Sequence, residues 1–180
     1  MKILIQTPNY HYLTREYQRK RFSDTCVKNF YGLWATDNCG NTPLHLSLKN
    51  GQFDMVEFLL ENVDEECIEL CDRYGRNVIH TSVMNGYVKN LKLFCQVIEK
   101  EKNIFVKDHE GNTPLHFAAE FGHLDCIKLL MSFKMGWRLA KVSRNKAILT
   151  PIDLAQANGQ LEIVDYLQSF ANTTNTKNRK

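Results

Sequence analysis

One short pattern occurs four times along this chain at nearly constant spacing, and it limits the possible folds more than any other feature. The pattern is an Asp-x-x-Gly turn followed by Thr-Pro-Leu-His, and its two complete copies run from Asp37 to His45 and from Asp108 to His116. Degenerate copies run from Asp72 to His80 and from Asn145 to Asp153. The Thr or Asn that opens each second half stands at position 42, 77, 113 or 150, at spacings of 35, 36 and 37 residues. A period of this length is typical of a stacked-repeat protein.

Each copy predicts a tight turn, a short helix, a second turn and a longer helix. Asp at the first position and Gly at the fourth suit the tight turn. Thr then caps the short helix, and Pro at the first helical position has no N–H to leave unpaired. Nine residues after each cap comes a glycine that can end the helix in a left-handed conformation. These glycines are Gly51, Gly86, Gly122 and Gly159. Apolar residues three apart, clearest at Leu124, Ile127 and Leu130, predict the longer helix.

The segments Thr42-Pro43-Leu44-His45 and Thr113-Pro114-Leu115-His116 resemble the ankyrin-repeat family, whose first helix opens with this motif. The resemblance covers residues 33–171. It implies an all-α solenoid of about four helix-turn-helix repeats with short β-turn or hairpin loops, in which neighbouring repeats bury each other's apolar faces. The repeats would start near residues 37, 72, 108 and 145.

The chain departs from the family pattern at three positions and in its period. Val78 replaces the proline of the second repeat, and Asp153 replaces the histidine of the fourth, where it predicts an acidic capping box with Thr150. Ile148 replaces the fourth turn glycine and argues against a regular hairpin there. The period exceeds the roughly 33 residues usual for the family. The extra residues are expected in loops near residues 61–71, 96–107 and 131–149.

The two ends of the chain flank this array. Residues 1–32 are predicted to form an arm and then, over 13–32, a helix that covers the first repeat with one apolar face, formed by Phe22, Cys26, Val27 and Phe30. Basic and aromatic residues mix around Arg15–Arg21, a composition that can bind nucleic acid. We favour a solvated basic face of the capping helix and expect no nucleic-acid partner. Residues 172–180 are polar and are expected to be disordered.

We find no residue pattern that indicates catalysis or a cofactor. His45, His80 and His116 occupy one position of the repeat, where the ring can bond to neighbouring turn backbone, and they stand too far apart to share a metal with ligand distances of about 2 Å. Cys67 and Cys71 form a close pair, but no second pair completes a zinc site. Phosphate-loop, serine-hydrolase and zinc-protease motifs are absent from the sequence. We therefore predict a non-enzymatic protein without metal or cofactor.

Composition indicates a reducing compartment and no membrane contact. The first residues are too short an apolar run for a signal peptide, and no apolar run reaches the roughly 18 residues of a membrane span. The six cysteines are then expected to be free thiols. We expect a monomer in the cytoplasm or nucleus, or in the host cytoplasm if the source is a virus or an intracellular bacterium.

Charge is distributed unevenly although the formal net charge is only +3. The charged residues from Glu57 to Asp72 are all acidic, and those between Cys126 and Ile152 are all basic. Two interpretations stay open. The segments either keep loops soluble or dock an oppositely charged partner.

The family resemblance implies binding of a partner protein through turn tips and the exposed ends of the short helices, next to the concave helix face. The matching turn residues are Asn38, Cys39, Asn41, Arg73, Tyr74, Arg76, His109, Glu110 and Asn112. The matching helix-end residues are Lys49, Asn50, Met84, Asn85, Glu120 and Phe121. Tyr74, Met84 and Phe121 are large groups where the fold needs none, so they are either binding residues or scattered surface residues, and Phe121 could instead pack on the next repeat. His109 and His123 are expected to be solvated.

Three functional hypotheses follow. The first is a non-catalytic adaptor, scaffold or inhibitor. The second is a stand-alone protein similar to the inhibitors of NF-κB, or a viral or bacterial protein directed at a host. The third is the regulatory or targeting part of a larger enzyme or ion channel.

Overall fold

The computed structural model describes residues 35–63, 65–98 and 101–177. Within these ranges the chain is helical and contains no β-strand, which confirms the predicted all-α class. The helices are α1 (Pro43–Lys49), α2 (Phe53–Leu60), α3 (Glu65–Glu69), α4 (Val78–Met84), α5 (Val88–Val97), α6 (Glu101–Ile104), α7 (Pro114–Phe121), α8 (Leu124–Met131), α9 (Lys134–Val142), α10 (Pro151–Ala157) and α11 (Leu161–Lys177). The predicted arm and capping helix lie outside the described residues, as do the basic residues near Arg15.

Four helix pairs stack to form one continuous core. The short inner helices α1, α4, α7 and α10 pack in that order, and the longer outer helices α5, α8 and α11 pack behind them. Equivalent positions of successive repeats are buried together, as the inner row Leu44, Ile79 and Leu115 shows. No helix pair could bury this row alone, so each repeat depends on its neighbour for stability.

All four inner helices begin with the predicted cap. The caps Thr42, Asn77, Thr113 and Thr150 have extended backbone, and each forms a reciprocal capping box with the residue three positions later. Proline occupies the first helical position in three of the four, as predicted. Val78 replaces it in the second repeat without loss of the cap, because Asn77 supplies the capping oxygen.

The fourth turn is regular, and the expectation that Ile148 would disturb it is wrong. Ile148 adopts a left-handed backbone with φ 64°, and its N–H donates to the Asn145 carbonyl at 2.9 Å. The Asn145 side chain accepts from the Leu149 N–H at 3.0 Å, as the Asp of the other turns does. Hydrogen bonding therefore holds a β-branched residue in a conformation that costs it roughly 1–2 kcal/mol.

The residues that lengthen the repeats fall in the three predicted loops, but they fold there as short helices α3, α6 and α9. Each of these helices carries buried apolar side chains, among them Ile68, Ile104 and Ala140. Helix α9 also packs on α8, α10 and α11. Burial of these side chains against the array gives the insertions an ordered structure that their local sequence does not predict.

The last helix continues to Lys177, so the disorder predicted from residue 172 is not found over residues 172–177. The buried residues Ile163, Val164 and Leu167 anchor this helix on the array. Once the first turns are fixed, polar residues can extend a helix at little further cost.

The fourth repeat presents a polar outer face. Gln156 is exposed at a position where the earlier repeats bury apolar residues. Those residues are Leu48, Val83 and Ala119. A polar side chain at this position loses less by contact with water than the apolar side chains of the earlier repeats would.

Candidate partner-binding surface

The first three turns are fixed from inside by an aspartate. In each turn one carboxylate oxygen of Asp37, Asp72 or Asp108 accepts the backbone N–H groups two and four residues later, at 2.7–3.0 Å. Burial acts to raise the pKa of Asp72, but the backbone bonds from Arg76 and Tyr74 and the Arg76 charge outweigh it, so the net pKa is lowered. The turn tips are therefore preformed, with the carboxylates directed inward.

Hydrogen bonds also join each turn tip to the next. The Arg73 N–H donates to the Cys39 carbonyl at 2.8 Å, the His109 N–H to the Tyr74 carbonyl at 2.9 Å, and the Lys146 N–H to the Glu110 carbonyl at 2.8 Å. Four tips thus form a single surface whose backbone positions are tied together. A partner that contacts two of them meets groups at a fixed separation.

Two of the three recurring histidines join neighbouring repeats by hydrogen bonds. His45 Nε2 donates to the Arg76 carbonyl at 3.0 Å, and His116 Nε2 donates to the Leu149 carbonyl at 3.2 Å. The Nδ1 atoms of both rings accept the N–H of their capping threonine, at 3.3 and 3.1 Å. These bonds require neutral imidazole, and burial accordingly lowers the pKa of His45 and of His116 to about 4.

Asp153 stands where the fourth repeat lacks the family histidine. In the first and third repeats the histidine ring bonds to the turn of the following repeat. Asp153 replaces the contact between the histidine and the capping residue, since its Oδ2 accepts from the Thr150 N–H at 2.8 Å and from the Thr150 hydroxyl at 2.7 Å. The predicted acidic capping box is confirmed.

Tyr74 stands at the tip of the second turn between two arginines. Its side chain is 51% exposed. The guanidinium carbon of Arg76 lies 4.3 Å from the ring centroid and that of Arg73 lies 5.3 Å away. Arg76 is itself held by Asp72, with Nη2 and Nε at 3.2 and 3.3 Å from Oδ2. The ring is thus oriented by its cationic neighbours.

A chain of contacts leads from this tip across to the third repeat. Arg76 Nη1 lies 3.8 Å from Met84 Sδ at the end of α4. The Met84 carbonyl accepts from His123 Nε2 at 3.2 Å, and the His123 ring lies 6.4 Å, centroid to centroid, from that of Phe121. We name the following six residues the binding strip: Arg73, Tyr74, Arg76, Met84, His123 and Phe121.

His123 is not solvated as expected from the sequence, and it joins the strip. Its ring covers the preceding repeat's glycine, where a Cβ on Gly86 would lie 2.8 Å from His123 Nδ1. The backbone at position 86 also has a φ of 70°, a conformation that glycine adopts without strain. No local pattern predicts this contact, because it depends on the register between repeats. A signal was available in the aromatic residue Tyr87 at the equivalent position.

Phe121 is exposed, and its aromatic contacts lie on its own repeat. It is 45% exposed, and its ring contacts with Phe117 and His123 lie within its own repeat. The three other repeats carry asparagine at this position: Asn50, Asn85 and Asn158. The position of Tyr74 is equally variable and holds Cys39, Glu110 and Ala147 elsewhere. The fold therefore accepts small or polar residues at both positions.

The other predicted contact residues are at least partly exposed, with one exception. Asn38, Lys49, Asn50, Asn85, His109 and Glu110 are exposed, whereas Asn112 and Glu120 are half-buried. Asn41 is only 4% exposed, and its side chain bonds to Asp37 and to Lys49. It shapes the first turn and is not available to a partner, so that prediction needs correction.

The two charged segments remain exposed along the array. Glu57, Glu61, Glu66 and Glu69 are exposed on the acidic one, and Lys128, Lys134, Arg138, Arg144 and Lys146 on the basic one. Lys146 pairs with Glu110 at 3.5 Å. Docking through either segment stays a prediction.

The described residues contain no group of three metal-ligating side chains. Cys67 is buried, whereas the Cys71 residue is exposed at the surface. Partial desolvation of the Cys71 thiol and the nearby carboxylates of Asp72 and Glu69 raise its pKa. In the same part of the chain no helix combines the length and the apolar character that a membrane span requires.

A sequence profile of ankyrin repeats, three copies long, matches residues 19–108 and again residues 89–178. The chain belongs to the ankyrin-repeat family. Ankyrin repeats are protein–protein interaction modules. The inner-helix histidines and caps are family features that build the array.

Curated relatives share the repeats within proteins of different size. A putative ankyrin repeat protein of Rickettsia bellii is 35% identical over 99 residues, covering 54% of this chain and 52% of the relative. The AVO2 subunit of target of rapamycin complex 2 from Saccharomyces cerevisiae is 34% identical over 117 residues, covering 65% of this chain and 26% of the relative. The tyrosine-protein kinase HTK16 of Hydra vulgaris is 31% identical over 134 residues, covering 73% of this chain and 16% of the kinase. This chain thus matches about half of the first relative and smaller parts of the others.

Proposed function

We propose that this chain binds a partner protein through the binding strip and acts as a non-catalytic adaptor, scaffold or inhibitor. The observation that carries the proposal is the exposure of Tyr74 and Phe121 at positions where the other repeats tolerate polar or small residues. Stability of the array does not account for either ring. Aromatic and arginine side chains dominate the binding energy of protein interfaces.

The strip is also prepared for binding before a partner arrives. Arginine cations orient Tyr74, and hydrogen bonds between tips fix the backbone beneath it. A side chain that is already ordered loses less conformational entropy on association. Phe121 has a similar constraint from its stacking on Phe117.

We propose no catalytic role, because the histidines and aspartates near this surface form the hydrogen bonds that hold the caps and turns. The three inner-helix histidines are buried, and His45 and His116 use both ring nitrogens in hydrogen bonds. Asp37, Asp72 and Asp108 are occupied by turn amides. Occupation of a partner's surface needs none of these groups to react.

A second candidate is the targeting part of a larger enzyme, favoured by the match to the Hydra kinase over 73% of this chain. In this case the same strip would bind a substrate or regulator for an attached catalytic domain. The mass of the native protein, measured by immunoblot of the source cells, distinguishes the two. A band near 20.9 kDa supports the stand-alone protein, and a much larger band supports the enzyme.

The direct experiment is quantitative affinity capture from source cells with the wild-type chain and with the double variant Tyr74→Ala, Phe121→Asn. The control is Val142→Ala, Leu161→Ala, which removes two other exposed apolar side chains. Partners of the strip are retained by wild type and control and lost by the double variant. With the purified partner, the double variant should weaken binding by about 2 kcal/mol, or roughly 30-fold. Unchanged affinity would move the interface to the charged segments or the convex side.

A further inference from the structure

Two arginine nitrogens in the binding strip have sulfur atoms as their hydrogen-bond partners. Arg73 Nη2 donates to Cys39 Sγ at 3.0 Å, and Arg76 Nη1 donates to Met84 Sδ at 3.8 Å. Sulfur is a weak acceptor, whereas a charged oxygen forms hydrogen bonds about twice as strong as neutral groups do. An anion that binds both arginines can therefore replace these two weak contacts with stronger hydrogen bonds.

The local charges also favour an anion. The cations around Tyr74 are Lys49, Arg73 and Arg76, and the carboxylates are those of Asp37 and Asp72, which leaves one positive charge in excess. Both carboxylates point into their turns, and the side chain of Asp72 is only 2% exposed. The cations consequently dominate the field that a partner meets at this tip.

The neighbouring acidic residues do not cancel this excess. The Glu110 carboxylate at the next tip is paired with Lys146 at 3.5 Å. Glu120 adjoins Phe121 at the opposite end of the strip. The strip is therefore cationic at its Tyr74 end, and it continues through Met84 to an apolar end beside an acidic residue.

From this arrangement we infer that the recognised part of the partner is an acidic peptide segment, with an Asp or Glu carboxylate on Arg73 and Arg76 and an apolar side chain on Met84 and Phe121. The inference rests on the proposed function and names the chemistry of its partner. A single carboxylate matches the single excess positive charge. A phosphate group would bring about −1.5 to −2 charges to the same place.

The test is a ¹H–¹⁵N NMR titration of the full chain with the acetylated, amidated peptide Glu-Glu-Glu-Leu-Phe-Leu. The matched peptides replace Glu by Gln or by phosphoserine. Arg73→Asn is the diagnostic variant, because asparagine occupies this position in the first turn as Asn38. Lys134→Gln is its control, because it removes one exposed cation of the basic segment that lies outside the binding strip.

We expect the Glu peptide at about 1 mM to shift the amides of Arg73, Tyr74, Met84 and Phe121, and the Gln peptide to leave them in place. Arg73→Asn should weaken the Glu peptide about fivefold or more, the equivalent of about 1 kcal/mol. Lys134→Gln should change its affinity less than about twofold. Both variants keep the fold if their amide spectra stay dispersed.

Three results would overturn the inference. Equal shifts with the Gln and Glu peptides would show that the strip binds peptides without regard to charge, which refutes the acidic partner but leaves the proposed function intact. Tighter binding of the phosphoserine peptide would show that the strip recognises a phosphate group, and not a carboxylate. Shifts confined to residues 134–146, or no shift at all, would show that the strip receives no anion. The proposed function itself fails only if the double variant of Tyr74 and Phe121 keeps its affinity for the captured partner.

Discussion

His45 Nε2 donates a hydrogen bond to the carbonyl oxygen of Arg76, 3.0 Å away in the following repeat. The bond connects the cap of one inner helix to the residue that precedes the cap of the next. Arg76 in turn orients Tyr74 through its guanidinium group. The motif histidine therefore supports the candidate binding surface, because it fixes the backbone from which Arg76 projects.

Acidification should destabilise the array between about pH 6.5 and pH 4. Burial lowers the pKa of His45, His80 and His116 from 6.5 to about 4, against the opposing charges of Asp72 and Asp108. Protons therefore bind the unfolded chain first as the pH falls. The free energy of unfolding is at its full value above pH 6.5 and falls by up to about 1.4 kcal/mol per pH unit for each histidine, with no further loss from these groups below pH 4.

Urea unfolding at a series of pH values measures this dependence. The control is His116→Asn, which removes one of the proton sites and should reduce the slope by about one proton. A free energy of unfolding that stays constant as the pH is lowered from neutrality to about 5 would contradict the neutral histidine bonds.

Replacement of Ile148 by glycine should stabilise the protein. Ile148 has φ 64° and is 68% exposed, so glycine relieves backbone strain and removes few contacts. Relief of roughly 1–2 kcal/mol minus the entropic cost of glycine, about 0.5–1 kcal/mol, leaves a gain of about 0.5–1 kcal/mol. The urea midpoint of Ile148→Gly should rise, whereas that of the neighbouring control Ala147→Gly should not. A lower midpoint for Ile148→Gly would show that the isoleucine side chain makes stabilising contacts.

The strip and the core should respond differently to truncation. Leu115 is fully buried between repeats, so Leu115→Ala should cost about 2–5 kcal/mol of unfolding free energy. Tyr74→Ala and Phe121→Asn change exposed side chains and should each cost less than about 1 kcal/mol. Thermal or urea unfolding of the three variants checks the order. A loss at Phe121 as large as that at Leu115 would mark this ring as part of the core.

Local features of the fold were predictable because they depend on residues close in sequence. The aspartate turns, threonine caps, proline starts and left-handed glycines each follow from a few adjacent side chains. The regular turn at Ile148 was not predictable, since its hydrogen bonds compensate for the unfavourable left-handed conformation of a β-branched residue. The helices in the insertions were also missed, because contacts with the rest of the array stabilise them.

The binding surface was predictable in outline but not in its connections. Family position and residue type pointed to Tyr74, Met84 and Phe121. The burial of Asn41 and the contact of His123 with Met84 depend on how one repeat lies on the next, which a single sequence does not specify. The sulfur partners of Arg73 and Arg76 depend on side-chain conformations for the same reason.

Hydrogen–deuterium exchange of the chain in complex with its captured partner tests the central claim most directly. We expect slower exchange at the amides of residues 73–76, 84–86 and 121–123 in the complex than in the free chain, and little change over the acidic segment 57–72. Protection confined to that segment or to residues 134–146, with the binding strip exchanging as in the free chain, would contradict the claim that the strip is the partner-binding surface.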